Sequence, residues 1–189
     1  MLEPLKTFVR TVTDIVDETE SEQRIVPVVG AAMKSLVSSP DWLPEEFSRC
    51  SPTTYSQYLL YCDPRERFCV VSFVWGPGQK TPIHDHTVWG VIGQLVGEET
   101  SQSFEFDSAG SLIEIGEPDV LRRGDIALLS PSAVDIHLVS NASDRVAISI
   151  HAYGANIGKV SRNTYNISSG HKSTFISSYT NDKIPNIWR

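Results

Sequence analysis

Apolar residues in the first part of the chain recur at intervals of three and four: Leu5, Phe8, Val9, Val12, Ile15 and Val16, then Ile25, Val28, Val29, Ala32, Met33 and Leu36. This is the period of a helix that buries one face, and it predicts two amphipathic helices between Leu2 and about Ser39, packed on something larger. Pro27 is expected in the first turn of the second helix, where its missing N–H costs nothing. The stretch SSPDWLPEEF carries two prolines and closes this helical N-terminal segment, residues 1–45, as a linker or a short third helix.

From Tyr55 the pattern changes. Short segments rich in β-branched and aromatic residues follow one another: YSQYLLY, RFCVVSFVW, VWGVIGQLVG, SQSFEF, SLIEIG, DVLRR, IALLS, DIHLVS, VAISIHAY, KVSRNTY and STFISS. Between them lie DPRE, GPGQ, DSAG, GEPD, RRGD, SPSA and SNASD, which carry the Gly, Pro, Asp, Asn and Ser that turns require. Strands this short and this regularly interrupted indicate a mainly β protein, a sandwich or barrel, with the helices at its N-terminus. The length of 189 residues suits one hydrophobic core, so 1–189 is expected to form a single domain.

Composition narrows the partners. A net charge of −7 and a pI near 5.2 disfavour nucleic acid and anionic membrane surfaces, and no apolar run is long enough to span a bilayer. The N-terminus mixes acidic residues into its amphipathic pattern, unlike a secretory signal or transit peptide, and a cytoplasmic location is expected. Cys50, Cys62 and Cys69 are odd in number and lack C-x-x-C spacing, so they read as reduced thiols. A monomer or weak homo-oligomer is expected.

The candidate chemistry centres on Gly76 to Gly97, GPGQKTPIHDHTVWGVIGQLVG. Residues two apart on a strand share a face, so His84 and His86 would aim both imidazoles into one space. His137 in DIHLVS would complete a facial set of three neutral ligands with coordination positions left open, as a catalytic metal requires; zinc, iron, nickel and copper all suit it. In the same way Asp135 and His137 would share a face. In VAISIHAY, Ser149, His151 and Tyr153 alternate with Ile148, Ile150 and Ala152. That polar stripe is either a hydrogen-bonded row beside the metal or the solvent face of an edge strand, and His151 is also a candidate fourth ligand. Arg162 is a cation able to grip a carboxylate. Gln57 lies in an amphipathic strand, and Trp75 and Trp89 flank the H-x-H segment as candidate pocket walls.

Taken together these residues resemble the cysteine dioxygenase family, the thiol dioxygenases of the cupin superfamily, from the N-terminal helices through the β region. The first cupin motif falls on Gly78, His84, His86 and Gly97, the second on Pro131, His137 and Asn141, and the family's Ser-His-Tyr row on Ser149, His151 and Tyr153. The resemblance implies a jelly-roll-like cupin β-barrel and non-haem Fe(II) held by His84, His86 and His137. The glutamate ligand of other cupins is missing, since no Glu follows His86 until Glu98. Gly90 stands where animal members carry a cysteine crosslinked to the tyrosine, so Tyr153 is expected to be uncrosslinked. Gln57 stands where those members hold the carboxylate with an arginine. This resembles the bacterial branch that prefers 3-mercaptopropionate, in which a later arginine takes that role, here Arg162.

The expected activity is therefore oxidation of a small carboxylated thiol, 3-mercaptopropionate first, to its sulfinate with O2. Arg162 and Gln57 would bind substrate, with Tyr153, His151 and Ser149 catalytic. Cysteine and mercaptosuccinate are the competing substrates, and Arg122 and Arg123 are loose candidates for the second carboxylate of the latter. Two other classes compete: a cupin that binds a metal or ligand without turnover, and a metal-dependent isomerase whose base would be Asp85 or Asp135.

Overall fold

The structure is a computed structural model that describes residues 2–131 and 135–188. Two helices, α1 (Glu3–Glu18) and α2 (Glu22–Leu36), and a turn of 3-10 helix at Glu45–Phe47 precede eleven strands. These are β1 (Ser56–Cys62), β2 (Cys69–Trp75), β3 (Ile83–His84), β4 (Gly90–Val96), β5 (Glu98–Phe106), β6 (Leu112–Arg122), β7 (Ile126–Leu129), β8 (His137–Ser140), β9 (Ala147–Tyr153), β10 (Arg162–Tyr165) and β11 (Lys172–Phe175). They form two antiparallel sheets, in the orders β1-β2-β9-β4-β7 and β11-β10-β3-β8-β5-β6. The molecule is the mainly β, jelly-roll-like barrel with N-terminal helices that the sequence predicts. No helix among the described residues is long and apolar enough to cross a membrane.

The helical face holds as read: Leu5, Phe8, Val9, Val12 and Ile15 of α1 are buried, as are Ile25, Val29, Met33 and Leu36 of α2. They pack with Leu60, Val70, Val74, Val91, Ile148, Ile150 and Ala152 on the outer face of the five-stranded sheet. Contact there is close. A Cβ at Gly93 on β4 would stand 2.6 Å from Met33 Cγ, so only glycine lets α2 lie this near the sheet. Pro27 is not in the first turn. Helix α2 begins at Glu22, with the amides of Arg24 and Ile25 already bonded to the Ser21 carbonyl, and Pro27 sits inside the helix at an exposed position, where its ring denies Gln23 the usual donor.

Because helices cover the outer face, the inner face of this sheet is buried as well. All seven residues of β9 are buried, between β2 and β4, which rules out an exposed edge strand. Register then fixes the inner surface: Ser149 lies between Phe73 and Gln94, His151 between Val71 and Ile92, and Tyr153 between Cys69 and Gly90.

Two strand boundaries differ from the sequence pattern. SLIEIG and DVLRR are one strand, β6, which runs through the expected turn. From Ile115 to Asp119 it advances four residues while β5 advances two, a bulge with Gly116 at φ +66°. β3 ends at His84, so His86 is placed by the turn that follows, where Thr87 takes φ +59°, and not by strand alternation. The C-terminal segment lies along the edge of β1: Thr180 N–H donates to the Gln57 carbonyl, and Asn181 exchanges two hydrogen bonds with the Leu59 backbone.

Candidate metal centre

The inner surfaces of the two sheets meet around a pocket lined on one side by His84, His86, His137 and Arg162 and on the other by His151 and Tyr153. β3 carries His84, the turn after it His86, and β8 His137, which pairs directly with His84 across the ladder. Each offers one ligand atom, and these atoms lie within 4.8 Å of one another, all buried.

The remaining ring nitrogens are held from behind. His84 Nδ1 donates to the Pro82 carbonyl at 3.0 Å, which leaves Nε2 unprotonated, and His137 Nδ1 meets Ser101 Oγ at 2.9 Å. The His86 amide donates to Asp135 Oδ2 at 3.0 Å, and the same oxygen stands 3.6 Å from His86 Nδ1. Such outer partners fix ring orientation in metal sites. Burial pushes His84 down to about 4 and holds His86 and His137 well below the ordinary histidine value, with the Arg162 charge adding to the effect on His84 and His86. The three rings are neutral at pH 7. His137 Nε2 is buried without a partner, and a divalent cation would satisfy it. Three neutral imidazoles fit a divalent metal and leave its charge free for an anionic ligand.

Asp135 does not share a strand face with His137: it precedes β8, and its carboxylate is committed to His86. Asp85 accepts from Asn163 N–H, Asn163 Nδ2 and the Tyr165 hydroxyl. Neither lines the pocket as the base an isomerase would need.

Opposite the cluster runs the row on β9. Trp75 Nε1 donates to Ser149 Oγ at 3.1 Å, Ser149 Oγ and His151 Nε2 are 2.8 Å apart, and His151 Nδ1 and the Tyr153 hydroxyl are 2.8 Å apart. Both His151 nitrogens are thus engaged, and it is not a fourth ligand. Burial lowers His151 to about 3, keeping it neutral, and raises the Tyr153 phenol well above its ordinary value. The Tyr153 ring stacks on His86 with centroids 5.8 Å apart, joining the row to the cluster. A Cβ at Gly90 would stand 3.3 Å from Tyr153 Cδ1, so that position does face the ring, and glycine supplies no sulfur there. On the other side Cys69 is buried, its thiol pushed up to about 11 by burial.

Arg162 on β10 is 3% exposed. Its guanidinium lies 4.6 Å from the Phe175 ring centroid, one terminal nitrogen donates to Ser177 Oγ, and Nε has no partner. No carboxylate among the described residues pairs with it. Gln57 also lines the pocket, half-buried on β1, and so does Trp75. Trp89 instead packs in the core beneath the helices. Arg122 is exposed and paired with Glu98, Arg123 reaches the Ser38 carbonyl, and neither lines the pocket. Asn141 serves the fold, its amide donating to the carbonyls of Trp75 and Arg145. Sequence reasoning missed Ser101, Glu99, Phe175 and Ser177, polar or tail residues with no motif around them.

The chain is similar to solved structures of low identity: a conserved protein with a double-stranded β-helix domain from Klebsiella pneumoniae, 17% identical over 74% of this chain and 96% of that one with a TM-score of 0.48. Another is a cupin 2 conserved barrel domain protein from Salinispora arenicola, 18% identical over 60% of this chain and 86% of that one with a TM-score of 0.44. Residues 3–165 match the family described as cysteine dioxygenase type I, a span that holds both helices, the three-histidine cluster, the row and Arg162. The chain belongs to the cysteine dioxygenase type I family.

Proposed function

We propose that the protein is an Fe(II)-dependent dioxygenase that converts a small carboxylated thiol, 3-mercaptopropionate, to its sulfinate. The observation that carries this reading is the pairing of vacancies in one small pocket: a neutral three-histidine cluster faces a buried guanidinium that has no carboxylate partner. An uncompensated buried cation is costly, and a substrate carboxylate offsets that cost.

His84, His86 and His137 hold the metal, which supplies the Lewis-acid and redox chemistry that joins O2 to sulfur. Arg162 grips the carboxylate, with Gln57 beside it, and so fixes how far the sulfur reaches. The row presents the Tyr153 hydroxyl to the reacting sulfur. The cavity measures about 30 Å³, room for two or three water-sized groups at roughly 10–15 Å³ each, which suits a short substrate.

The lining also supports the choice among thiols. It contains no Asp or Glu to receive the ammonium group of cysteine, and Arg162 is its one Lys or Arg, short of the two cations that mercaptosuccinate would need. The test is oxygen uptake by anaerobically Fe(II)-loaded protein with 3-mercaptopropionate, cysteine and mercaptosuccinate in parallel, alongside a zinc-loaded control. One O2 consumed per sulfinate formed, fastest with 3-mercaptopropionate, is the expected result. A different ranking overturns the substrate, and no uptake at full iron occupancy overturns the enzyme reading.

A further inference from the structure

Three carboxyls are deeply buried among the described residues, and two have evident work. Asp63 holds Arg67, and Asp85 ties Asn163 to Tyr165. Glu99 on β5 is the third. It is 2% exposed, pairs with no cation, and its Oε2 has no hydrogen-bond partner. Against it lies the Ser149 hydroxyl, the inner end of the β9 row.

Its surroundings are neutral. Leu121 is its register partner on β6, Gln94 flanks Ser149 on β4, and Trp75 on β2 reaches the same hydroxyl. On its own strand Glu98 turns outward to the exposed Arg122, and on β8 the neighbouring pair is Thr100 with Ser140. The titratable groups nearest along the row are His151 and Tyr153 on β9, and the phenol registers the charge of Glu99. Burial pushes Glu99 up to about 7, opposed by its hydrogen bond to Ser149.

We propose that Glu99 is the inner terminus of the row and a positioning residue: whether its carboxyl carries a proton sets the direction in which the hydrogens of Ser149, His151 and Tyr153 point. The argument is a count of donors. Ser149 Oγ already accepts from the Trp75 indole and has one proton to give, and each neutral histidine has one N–H.

With Glu99 protonated, its O–H donates to Ser149 Oγ, Ser149 donates to His151 Nε2, His151 Nδ1–H donates to the phenol oxygen, and the phenol O–H points into the pocket. With Glu99 ionised, each bond reverses. Ser149 donates to the carboxylate, His151 Nε2–H donates to Ser149, the phenol donates to Nδ1, and a phenol lone pair faces the pocket. The first state holds one proton more than the second, and the row exchanges it with the pocket through the phenol oxygen.

What this does in turnover rests on the proposed thiol dioxygenase reading. A thiol arriving at the ionised state loses its S–H proton to the phenol oxygen. The phenol proton passes to Nδ1, the Nε2 proton to Ser149, and the Ser149 proton to Glu99. The substrate is left as thiolate with a phenol O–H directed at it.

The test reads the row without turnover. Protein labelled with ¹⁵N-histidine, metal-free, is titrated from about pH 5.5 to about pH 8.5, a range in which His151 stays neutral, and its two ring nitrogens are followed. The expected result is a tautomer change from Nδ1–H to Nε2–H through a single midpoint near neutrality. Glu99→Gln, whose amide donates to Ser149 as the acid does, holds Nδ1–H throughout, and Ser149→Ala removes the pH dependence. A tautomer that ignores pH in the wild-type protein, or one that still changes in Glu99→Gln or Ser149→Ala, overturns the proposal. A row that reverses as described in a protein that oxidises no thiol upholds the proposal and overturns only the dioxygenase reading.

Discussion

The wall built from β3, β8 and β10 and the wall built on β9 are both buried, yet they treat their polar atoms differently. On the first, His137 Nε2, His86 Nδ1 and Arg162 Nε lack hydrogen-bond partners. On the second, Ser149, His151 and Tyr153 are joined by bonds of 2.8 Å, and the indole of Trp75 closes on Ser149. Buried polar atoms are rarely left unpaired, because each costs about 1–3 kcal/mol. Vacancies gathered on one wall therefore mark where ligands complete the structure. The satisfied wall is a fixed template that holds one phenol in place.

The sharpest way to break this comparison is to empty the first wall. His137→Ala should reduce bound iron from near one per chain to near none by elemental analysis while the circular dichroism spectrum is kept; iron retained at wild-type level would mean that the cluster is not the metal site.

The next largest effect belongs to the inner end of the second wall. Glu99 has its proton affinity raised from the ordinary 4.5 to about 7 in the folded protein, so the folded state keeps a proton that the unfolded chain has lost. Stability is then full below about pH 4.5 and falls as pH rises to about 7, by roughly 3 kcal/mol in all. Urea titrations of Glu99→Gln should show that decline removed, with the variant gaining on wild type as pH rises through this window. Parallel curves would place the Glu99 charge in a solvated setting.

Removing the cation sharpens the contrast further. Arg162→Met should raise KM for 3-mercaptopropionate by about 10- to 100-fold, the range of a charge-assisted hydrogen bond of about 1.5–3 kcal/mol, with kcat falling less. An unchanged KM would assign the carboxylate to another residue. The smallest change concerns support behind the first wall. Ser101→Ala should weaken metal binding by about 10-fold by freeing the His137 ring, measured by chelator competition. Wild-type affinity would show that strand packing alone orients that ring.

Much of this contrast was legible in the chain. His84, His86 and His137 declare themselves by spacing and turn signals, and VAISIHAY shows its two faces because β9 has a different neighbour on each: helices on one side, the pocket on the other. What the sequence hid are residues whose burial depends on distant packing. Glu99 sits in GEETSQSF, which reads as a solvated strand; it turns inward because Gly97, at φ +68°, redirects the chain between β4 and β5. Ser101 is equally silent until β8 lies beside it. Pro27 misled because N-terminal signals favour prolines in first turns, whereas packing of Ile25 and Val26 starts α2 a turn earlier. Trp89 looked like a pocket wall because it follows the histidines, and the left-handed turn at Thr87 intervenes before it reaches the core under the helices.

The tail laid along β1 carries a consequence of its own. Phe175 and Ser177 lie beyond the residues that match the family, yet both line the pocket and both touch Arg162. A few residues further, Thr180 and Asn181 cap backbone groups on β1 that would otherwise be open to strand addition by another chain. Substrate preference and resistance to aggregation are thus written in neighbouring residues of one short segment. Sequence drift there that loosens the grip on β1 also moves the partners of the pocket's cation, so a lineage that changes its thiol through this tail does so under selection for solubility.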